Sequence, residues 1–155
     1  MALRQINAIT DEATAVDLGC GDGYIANQLA SRGYRVIGID GSTSAMEQAK
    51  HLITPKNKHK IQFQVSDVCA TQIPDSAADL IVSLDVIEHL ENPDAMLREI
   101  SRIGKSGALI LIGTPVRFTE KPLDQYHVQE FYVSEFTMLL EKYFKIRSVK
   151  KSHPI

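Results

Sequence analysis

The chain has little that would cross-link it or carry it out of a cell. Its 155 residues include only two cysteines, and because Cys20 lies inside a glycine-rich turn we expect Cys20 and Cys69 to be free thiols in a reducing compartment. No apolar run approaches the roughly 18 residues of a membrane span, and residues 1–12 lack the apolar core of a signal peptide. We therefore expect a cytoplasmic protein without a membrane partner.

Excess charge of one sign is also missing. The 17 Lys and Arg residues nearly balance the 19 Asp and Glu residues, which leaves a net charge of -2. This balance gives no electrostatic reason to expect a nucleic acid as partner. The hydrophobic content of 44% is ordinary for a globular protein, and the length predicts one domain over residues 1–155.

Short apolar runs alternate along the chain with amphipathic stretches. Several runs are apolar throughout, as expected for strands covered on both faces. The runs that predict strands are 13–18, 34–39, 61–66, 79–84 and 108–113, with 145–150 as a further, last strand. The pattern predicts an α/β fold, a single Rossmann-like, doubly wound, mostly parallel sheet, which binds ligands at the carboxyl ends of its strands.

Helical spacing fills the segments between these runs. Ser42 and Ser134 are plausible N-caps, and Gly33 and Gly104 are C-terminal stops. The predicted helices are 23–33, 42–53, 92–104 and 134–144, while 54–60 is expected to be a polar surface loop. No seventh strand is evident after residue 150, so the sheet is expected to lack its C-terminal strands, as in a trimmed protein, a piece of a longer one, or a compact form that dimerises.

The stretch "DLGCGDGY" (17–24) follows the first predicted strand. A P-loop would close on a Lys-Ser/Thr pair, and none is present. A dinucleotide-binding turn needs a third glycine or alanine where Tyr24 stands, and Gly23 comes one residue early. The carboxylates of Asp17 and Asp22 would repel a pyrophosphate. The turn therefore suits a cationic ligand without phosphate.

A cationic nucleoside of this kind is S-adenosylmethionine. The stretch "VDLGCGDGYIANQLASRGYRVIGID" (16–40), followed by "SDV" (66–68), "DLIVSLDVIEHLENP" (79–93) and "ALILIGTP" (108–115), resembles the class I S-adenosylmethionine-dependent methyltransferases. The resemblance covers about residues 13–145. It implies an enzyme with S-adenosylmethionine as cofactor and S-adenosylhomocysteine as product.

The resemblance also assigns cofactor contacts. It implies that Asp17 faces the methionine ammonium directly or through water, and that Asp40 holds the two ribose hydroxyls in charge-assisted hydrogen bonds. Asp67 would accept from the adenine amino group; the alternatives are that Asp40 only ends a strand and Asp67 only forms an Asx turn. The full predicted set is Asp17, Gly19, Cys20, Gly21, Gly23, Tyr24, Asp40, Gly41, Ser42, Asp67, Val68, Leu84 and Asp85.

Candidate catalytic residues lie at the same edge. Transfer to a hydroxyl oxygen benefits from a general base, and histidine is the natural choice. His89 follows the fourth predicted strand and His127 follows the fifth, where the family usually covers its acceptor, so we predict Glu88, His89 and His127 as the acceptor side. The other histidines, His51, His59 and His153, are expected to lie at the surface.

A metal is the alternative for this group. "DVIEHL" (85–90) followed by "HVQEFYVSEF" (127–136) resembles the metal-binding pattern of small-RNA 3′-end 2′-O-methyltransferases, in which Asp85, Glu88, His89 and His127 would hold Mg²⁺ or Mn²⁺. Asp85 is one carbon shorter than the Glu of that pattern, and "EH" also occurs in the superfamily without metal. We therefore predict a site without a resident metal.

These features predict methyl transfer, foremost to a hydroxyl oxygen of a small molecule or a glycan. The segment 113–136 is also similar to methyltransferases of bacterial sugar and cell-surface glycan pathways. One alternative is an RNA 3′-end 2′-O-methyltransferase-like enzyme with a divalent metal, which the charge balance disfavours. The other is a non-catalytic domain that binds S-adenosylmethionine or a partner. Association into a homodimer stays open.

Overall fold

A computed structural model describes residues 13–117, 124 and 126–151. The strands are β1 (Thr14–Leu18), β2 (Arg35–Asp40), β3 (Ile61–Val65), β4 (Ala78–Leu84) and β5 (Gly104–Gly113). The helices are α1 (Tyr24–Ser31), α2 (Thr43–Leu52), α3 (Pro93–Ile103) and α4 (Val133–Glu141), with short 3₁₀ helices at Pro55–Lys60 and Ile87–His89. In this described part, no helix combines the length and the apolar character that a membrane crossing needs.

The five strands form one sheet in the order β3-β2-β1-β4-β5. Every neighbouring pair is parallel. The chain moves outward from β1 to β2 and β3, and then crosses back to β4 on the other side of β1. This reversal opens a crevice at the carboxyl ends of β1 and β4. The predicted Rossmann-like α/β sheet is confirmed.

The sheet is covered on both faces, which explains why the predicted strands are so apolar. One buried cluster includes Val16, Leu18 and Ile81 with the apolar side of α3. A second cluster includes Ala15, Leu80 and Val82 with α1. Alternate residues of β1 and β4 therefore enter opposite cores, and neither strand has a solvated face.

The predicted ends of α1 and α2 agree with the structure. Ser42 is the N-cap of α2, and its hydroxyl accepts the N–H of Ala45 at 3.2 Å. Gly33 follows α1 with a φ of 103°, the left-handed conformation that favours glycine after a helix. Gly104 ends α3 differently: its φ is -73°, and it is also the first residue of β5.

Two predictions of local structure near the C-terminus were wrong. Helix α4 begins at Val133, so its N-cap is Tyr132 and not Ser134. The first turn is fixed by the Glu135 carboxylate, which accepts the N–H of Tyr132 at 3.0 Å. Residues 145–150 form no strand, although their residue types favour one. His153 lies outside the described residues.

The predicted polar loop at 54–60 is instead the 3₁₀ helix Pro55–Lys60. Its buried residue is Asn57, whose amide donates to the side-chain oxygen of Asn27 at 2.7 Å and to the hydroxyl of Ser31 at 2.8 Å. The same amide donates to the backbone carbonyl of Asn27 at 3.1 Å. These bonds attach the segment to α1, so one buried amide decides the conformation of an otherwise polar stretch.

Candidate functional site

An open cleft of about 760 Å³ lies at the carboxyl ends of β1, β2 and β4. It is where a parallel sheet of this order is expected to bind a ligand. Seven of the predicted cofactor-binding residues line it: Gly19, Gly21, Asp40, Gly41, Asp67, Val68 and Asp85. His89, one of the predicted acceptor-side residues, lines it as well. The cleft therefore contains residues of both predicted sides, cofactor and acceptor.

The glycine turn closes the β1 end of the cleft. Gly19, Gly21 and Gly23 have φ values of 75°, 50° and 78°, which an L side chain rarely adopts. A Cβ on Gly19 would collide with the Cγ2 atom of Val86. No atom lies within 4 Å of a Cβ built on Gly21. The turn thus needs glycine for its conformation and leaves open space toward the cleft.

The Asp40 carboxylate is fixed at the end of β2. One oxygen accepts the N–H of Gly21 at 2.9 Å, and the other accepts the N–H of Ser42 at 2.8 Å. Each carboxylate oxygen can accept more than one hydrogen bond. Asp40 therefore has acceptor capacity left on both oxygens while its orientation is already set.

Asp67 lies across the cleft from the glycine turn, just after β3. One of its oxygens accepts the N–H of Cys69 at 2.8 Å, and its carbonyl accepts the N–H of Ala70 at 3.1 Å. The Asx turn considered from the sequence is therefore present. Because Asp67 also lines the cleft, the turn fixes this carboxylate at a binding surface.

Asp17 is the most perturbed carboxyl group near the cleft. It lies beneath the glycine turn, is 3% exposed, and one of its oxygens has no hydrogen-bond partner. Burial, together with the nearby charges of Asp40 and Asp22, raises the pKa of Asp17 to about 7, against the opposing effect of the Ala26 N–H. A cationic group placed nearby would favour the ionised form.

Six predicted cofactor residues are not among those that line the cleft: Asp17 and Gly23, described above, and Cys20, Tyr24, Ser42 and Leu84. Cys20 is buried, and burial raises the pKa of its thiol. Tyr24 is 64% exposed at the start of α1. Ser42 caps α2, and Leu84 packs with the α1-side core.

On the acceptor side, Glu88 occupies the short 3₁₀ helix after β4 and is 0% exposed. One of its oxygens accepts the hydroxyl of Thr114 at 2.9 Å. The other, Oε1, has no hydrogen-bond partner and lies 4.0 Å from Nε2 of His89. A buried carboxylate oxygen without a partner is costly unless a proton or a cation satisfies it.

The two histidines are held through the same ring nitrogen. Nδ1 of His89 lies 3.2 Å from the carbonyl of Tyr126, and Nδ1 of His127 lies 2.8 Å from the Glu130 carboxylate, which is 2% exposed. Carbonyl and carboxylate oxygens only accept, so Nδ1 donates in both rings. In the neutral rings this leaves Nε2 with the lone pair.

Glu88, His89 and His127 each offer a ligand atom within 4.8 Å of the others, the spacing of a small cation site. Asp85, with a φ of 55°, does not join this group among the described residues. The part of the metal pattern that included Asp85 is thus not assembled. The two imidazole rings contact each other edge to face, with centroids 5.2 Å apart.

The segment 126–131 brings His127 to this position. The N–H groups of Val128 and Gln129 donate to the carbonyl of Glu88 at 3.0 Å and 3.1 Å, and the Gln129 side chain donates to the carbonyl of Leu90 at 2.7 Å. Glu130, which orients His127, is not among the residues predicted from the sequence. Its only signal was the three-residue spacing between them.

Comparisons with known proteins show the family to which the chain is similar. The family described as "Methyltransferase domain" matches residues 16–112. A probable S-adenosylmethionine-dependent methyltransferase from Mycolicibacterium smegmatis is 31% identical over 133 residues, which are 81% of this chain and 49% of that protein. A ubiquinone biosynthesis O-methyltransferase from Nitrosomonas europaea is 32% identical over 104 residues, 66% of this chain and 44% of that protein.

The fold also matches that of solved structures. Phosphoethanolamine N-methyltransferase 2 of Haemonchus contortus, in complex with S-adenosyl-L-methionine, superposes with a TM-score of 0.79 at 21% identity. The match covers 91% of this chain and 35% of that one. The chain spans about half the length of the curated relatives it matches.

Proposed function

The chain belongs to the class I S-adenosylmethionine-dependent methyltransferases, and from this we propose that it transfers the methyl group of S-adenosylmethionine to a hydroxyl oxygen of a small molecule. The observation that carries the proposal is a single cleft lined by Asp40 and Asp67 on one side and by His89 on the other. A carboxylate pair suits the two polar ends of an adenosine, and an imidazole suits a hydroxyl that must lose a proton.

The residues of the cofactor side fit this cofactor and not a phosphate-bearing one. Asp40 has free acceptor capacity for a ribose diol, and Gly21 leaves space beside it. Asp67 and the Val68 N–H would meet the adenine. Asp17 would balance the positive charge of the methionine part, whereas a pyrophosphate near Asp17 and Asp40 would be repelled.

The remaining cofactor contacts follow from the same placement. Leu84 and Asp85 at the end of β4 would flank the methionine part. The backbone of residues 19–23 would approach the methionine and the ribose. When bound, the cofactor supplies a methyl group already activated by the sulfonium, so the protein mainly has to align donor and acceptor; such alignment can lower a barrier by roughly 7–11 kcal/mol.

The residues on the side of the methyl acceptor include a candidate general base. His89 lines the cleft, and its Nε2 lone pair would take the proton of the acceptor hydroxyl as the oxygen attacks the methyl carbon. The carboxylate of Glu88, 4.0 Å away, would stabilise the imidazolium that forms. His127 packs edge to face on His89 and completes the wall. A general base of this kind contributes about 10²–10⁴-fold.

Two observations support an oxygen acceptor of low molecular mass. The N. europaea relative is named as an O-methyltransferase of ubiquinone biosynthesis. The net charge of -2 does not favour electrostatic binding to the phosphates of RNA. A hydroxylated glycan is the second acceptor class that we propose, and association of two copies remains part of the proposal. We place the reaction in the cytoplasm, because Cys20 and Cys69 are free thiols.

We propose a divalent cation as the second candidate for the acceptor side. The specific observation is that Glu88 Oε1 has no partner and lies in a group of three ligand atoms within 4.8 Å. Nδ1 of both His89 and His127 is occupied by an oxygen acceptor, the arrangement that orients imidazole ligands in metal sites. Such an ion would bind and polarise the acceptor hydroxyl.

Binding experiments test the cofactor assignment, and turnover experiments test the acceptor side separately. Calorimetry should detect S-adenosylmethionine and S-adenosylhomocysteine, with at least about a hundredfold weaker binding in Asp40→Ala because a charge-assisted diol contact is lost. Asp22→Asn is the matched control, since that carboxylate caps the Tyr24 N–H in the same turn. Equal affinity in Asp40→Ala and wild type would remove the cofactor assignment.

The acceptor is then sought by following S-adenosylhomocysteine production across sugars, nucleosides, phenols and quinol precursors. Repeating the assay with a chelator, and titrating Mn²⁺ alone into wild type and His127→Ala, separates the two acceptor-side mechanisms. Turnover that resists chelation, together with no Mn²⁺ binding, would leave His89 as base and eliminate the metal.

A further inference from the structure

The connection from β3 to β4 contains the residues proposed to meet the adenine, Asp67 and Val68. It runs over residues 66–77 and contains no helix. Because β4 lies beyond β1 in the sheet order, this connection must cross over both β2 and β1. Asp67 and Val68, near its start, line the cleft. A long crossing without its own helix cannot satisfy its backbone internally, so other elements must fix its course.

Helix α3 supplies those partners through Glu99. The Glu99 carboxylate is 7% exposed. Its Oε1 accepts the backbone N–H of Thr71 at 2.8 Å and the Thr71 hydroxyl at 2.6 Å. Thr71 is four residues after Asp67. The carboxylate of α3 therefore holds the connection from its buried side, close to the residues that line the cleft.

Arg102, one turn further along α3, completes the arrangement. Its guanidinium donates to both oxygens of Glu99, at 2.7 Å and 2.9 Å, and reaches the carbonyl of Thr71 at 3.3 Å. It also donates to Asp75 at 2.6 Å. The Arg102 guanidinium and the Thr71 hydrogen bonds hold the pKa of Glu99 below its usual range, so the pair is ionised. The planar Arg102 guanidinium bonds several acceptors at once, which the single ammonium group of a lysine could not do in the same geometry.

Apolar packing and the end of α3 extend the contact. Val68 and Ile73 of the connection are buried in the same cluster as Ile100 of α3. The N–H groups of Ser76 and Ala77 donate to the carbonyls at the end of α3 at 2.9 Å and 2.8 Å. The connection is thus fixed to one helix from its middle to its end.

We propose that Glu99 and Arg102 are positioning residues for the cofactor. They place Asp67 and Val68 so that the site distinguishes adenine from other bases. This inference rests on the proposed function. Neither side chain is among the residues that line the cleft. Their effect reaches the ligand through Thr71 and the short Asx turn that starts at Asp67.

The test compares two ligands that differ only at the base, S-adenosylhomocysteine and its deaminated form, S-inosylhomocysteine. Wild type should prefer the adenine form, because Asp67 accepts from the amino group that deamination removes. In Glu99→Gln, one acceptor oxygen is lost, and Thr71 and Arg102 can no longer both be satisfied. The affinity for S-adenosylhomocysteine should fall about tenfold, the order expected for residues that act without ligand contact. The preference between the two ligands should shrink.

Two further variants make the result interpretable. Arg102→Gln should reproduce both changes. Because Arg102 is more exposed than Glu99, this variant serves as the test if Glu99→Gln folds poorly. Asp79→Asn breaks the Asp79–Lys105 ion pair at the opposite end of β4 and is the matched control. It should lower the unfolding midpoint but leave both dissociation constants unchanged.

The outcomes separate this inference from the proposed function. If wild type binds neither ligand, the proposed function fails. If wild type binds with an adenine preference, but Glu99→Gln and Arg102→Gln keep that preference while their unfolding midpoints fall, the contact is only stabilising and the inference is wrong. An equal loss for both ligands also overturns it, because the adenine side is then not what the pair positions.

Discussion

Binding of S-adenosylmethionine should release a proton from Asp17. The perturbation is a change of pH between about 5 and 7, followed in wild type and in Asp17→Asn. In the free protein the pKa of Asp17 is about 7, mainly because of burial. Near pH 6 about nine in ten molecules then carry the proton. If the ligand ammonium faces Asp17, as proposed above, it favours the ionised form, and binding expels the proton.

The magnitude follows from that pKa. If only the ionised form of Asp17 binds tightly, the affinity should fall about fiftyfold between pH 7 and pH 5, which corresponds to roughly 2.3 kcal/mol. The ligand's own amino group, with an ordinary pKa near 7.7–8.0, stays charged over this range and does not contribute. Above about pH 8 the affinity should fall again as the ammonium is lost.

Calorimetry in buffers of different ionisation enthalpy measures the proton directly. Wild type should release close to one proton near pH 6, whereas near pH 8 it should take up roughly half a proton, because about half of the ligand amino groups are then neutral. Asp17→Asn should release no proton near pH 6. The same raised pKa lowers the stability of the free protein as pH rises from about 4 to 7, since the native state holds a proton that the unfolded chain has lost. A flat affinity between pH 5 and 7, without proton release, would refute the reasoning.

Three further predictions concern single residues. Gly19→Ala should destabilise the protein by at least about 2 kcal/mol in chemical denaturation, because its φ is 75° and its Cβ meets Val86; Gly19→Ala with Val86→Ala should recover only part, since the backbone strain remains. Asn57→Ala should cost about 1–3 kcal/mol, because three hydrogen bonds of a buried amide are lost; an unchanged unfolding midpoint would contradict this. His89→Ala and His127→Ala should both keep the affinity for S-adenosylmethionine and lower turnover, by about 10²-fold or more in His89→Ala. A loss of cofactor affinity in either variant would instead assign that histidine to the cofactor side.

Local and repeating features of this protein could be predicted from its sequence. Apolar runs gave the five strands of the sheet, because a strand buried on both faces has to be apolar throughout. The relation between the glycine turn and Asp40 is equally local: both belong to one strand–helix–strand unit, and the parallel pairing of β1 with β2 brings their ends together. The left-handed turn needs glycine at three positions, so its sequence is visible without any structure.

Features that join distant segments depended on the tertiary structure. His89 and His127 contact each other only because segment 126–131 bonds to the backbone of Glu88 and Leu90, and no periodicity in the sequence encodes that path. The polar stretch around Asn57 was predicted as a loop for the same reason, since a buried amide cannot be told from a solvated one by its residue type. The contact of Glu99 with Thr71 likewise joins an amphipathic helix to an irregular connection.

The sequence by itself therefore determined the fold class and the glycine turn with its Asp40 partner, where short-range geometry and backbone conformation restrict the residue types. Only the tertiary structure decided that Glu88, His89 and His127 meet, and that Glu99 fixes the connection after Asp67. The physical reason is that hydrogen bonds between remote segments depend on how loops cross the sheet. That course follows from the packing of the whole chain and not from any local pattern.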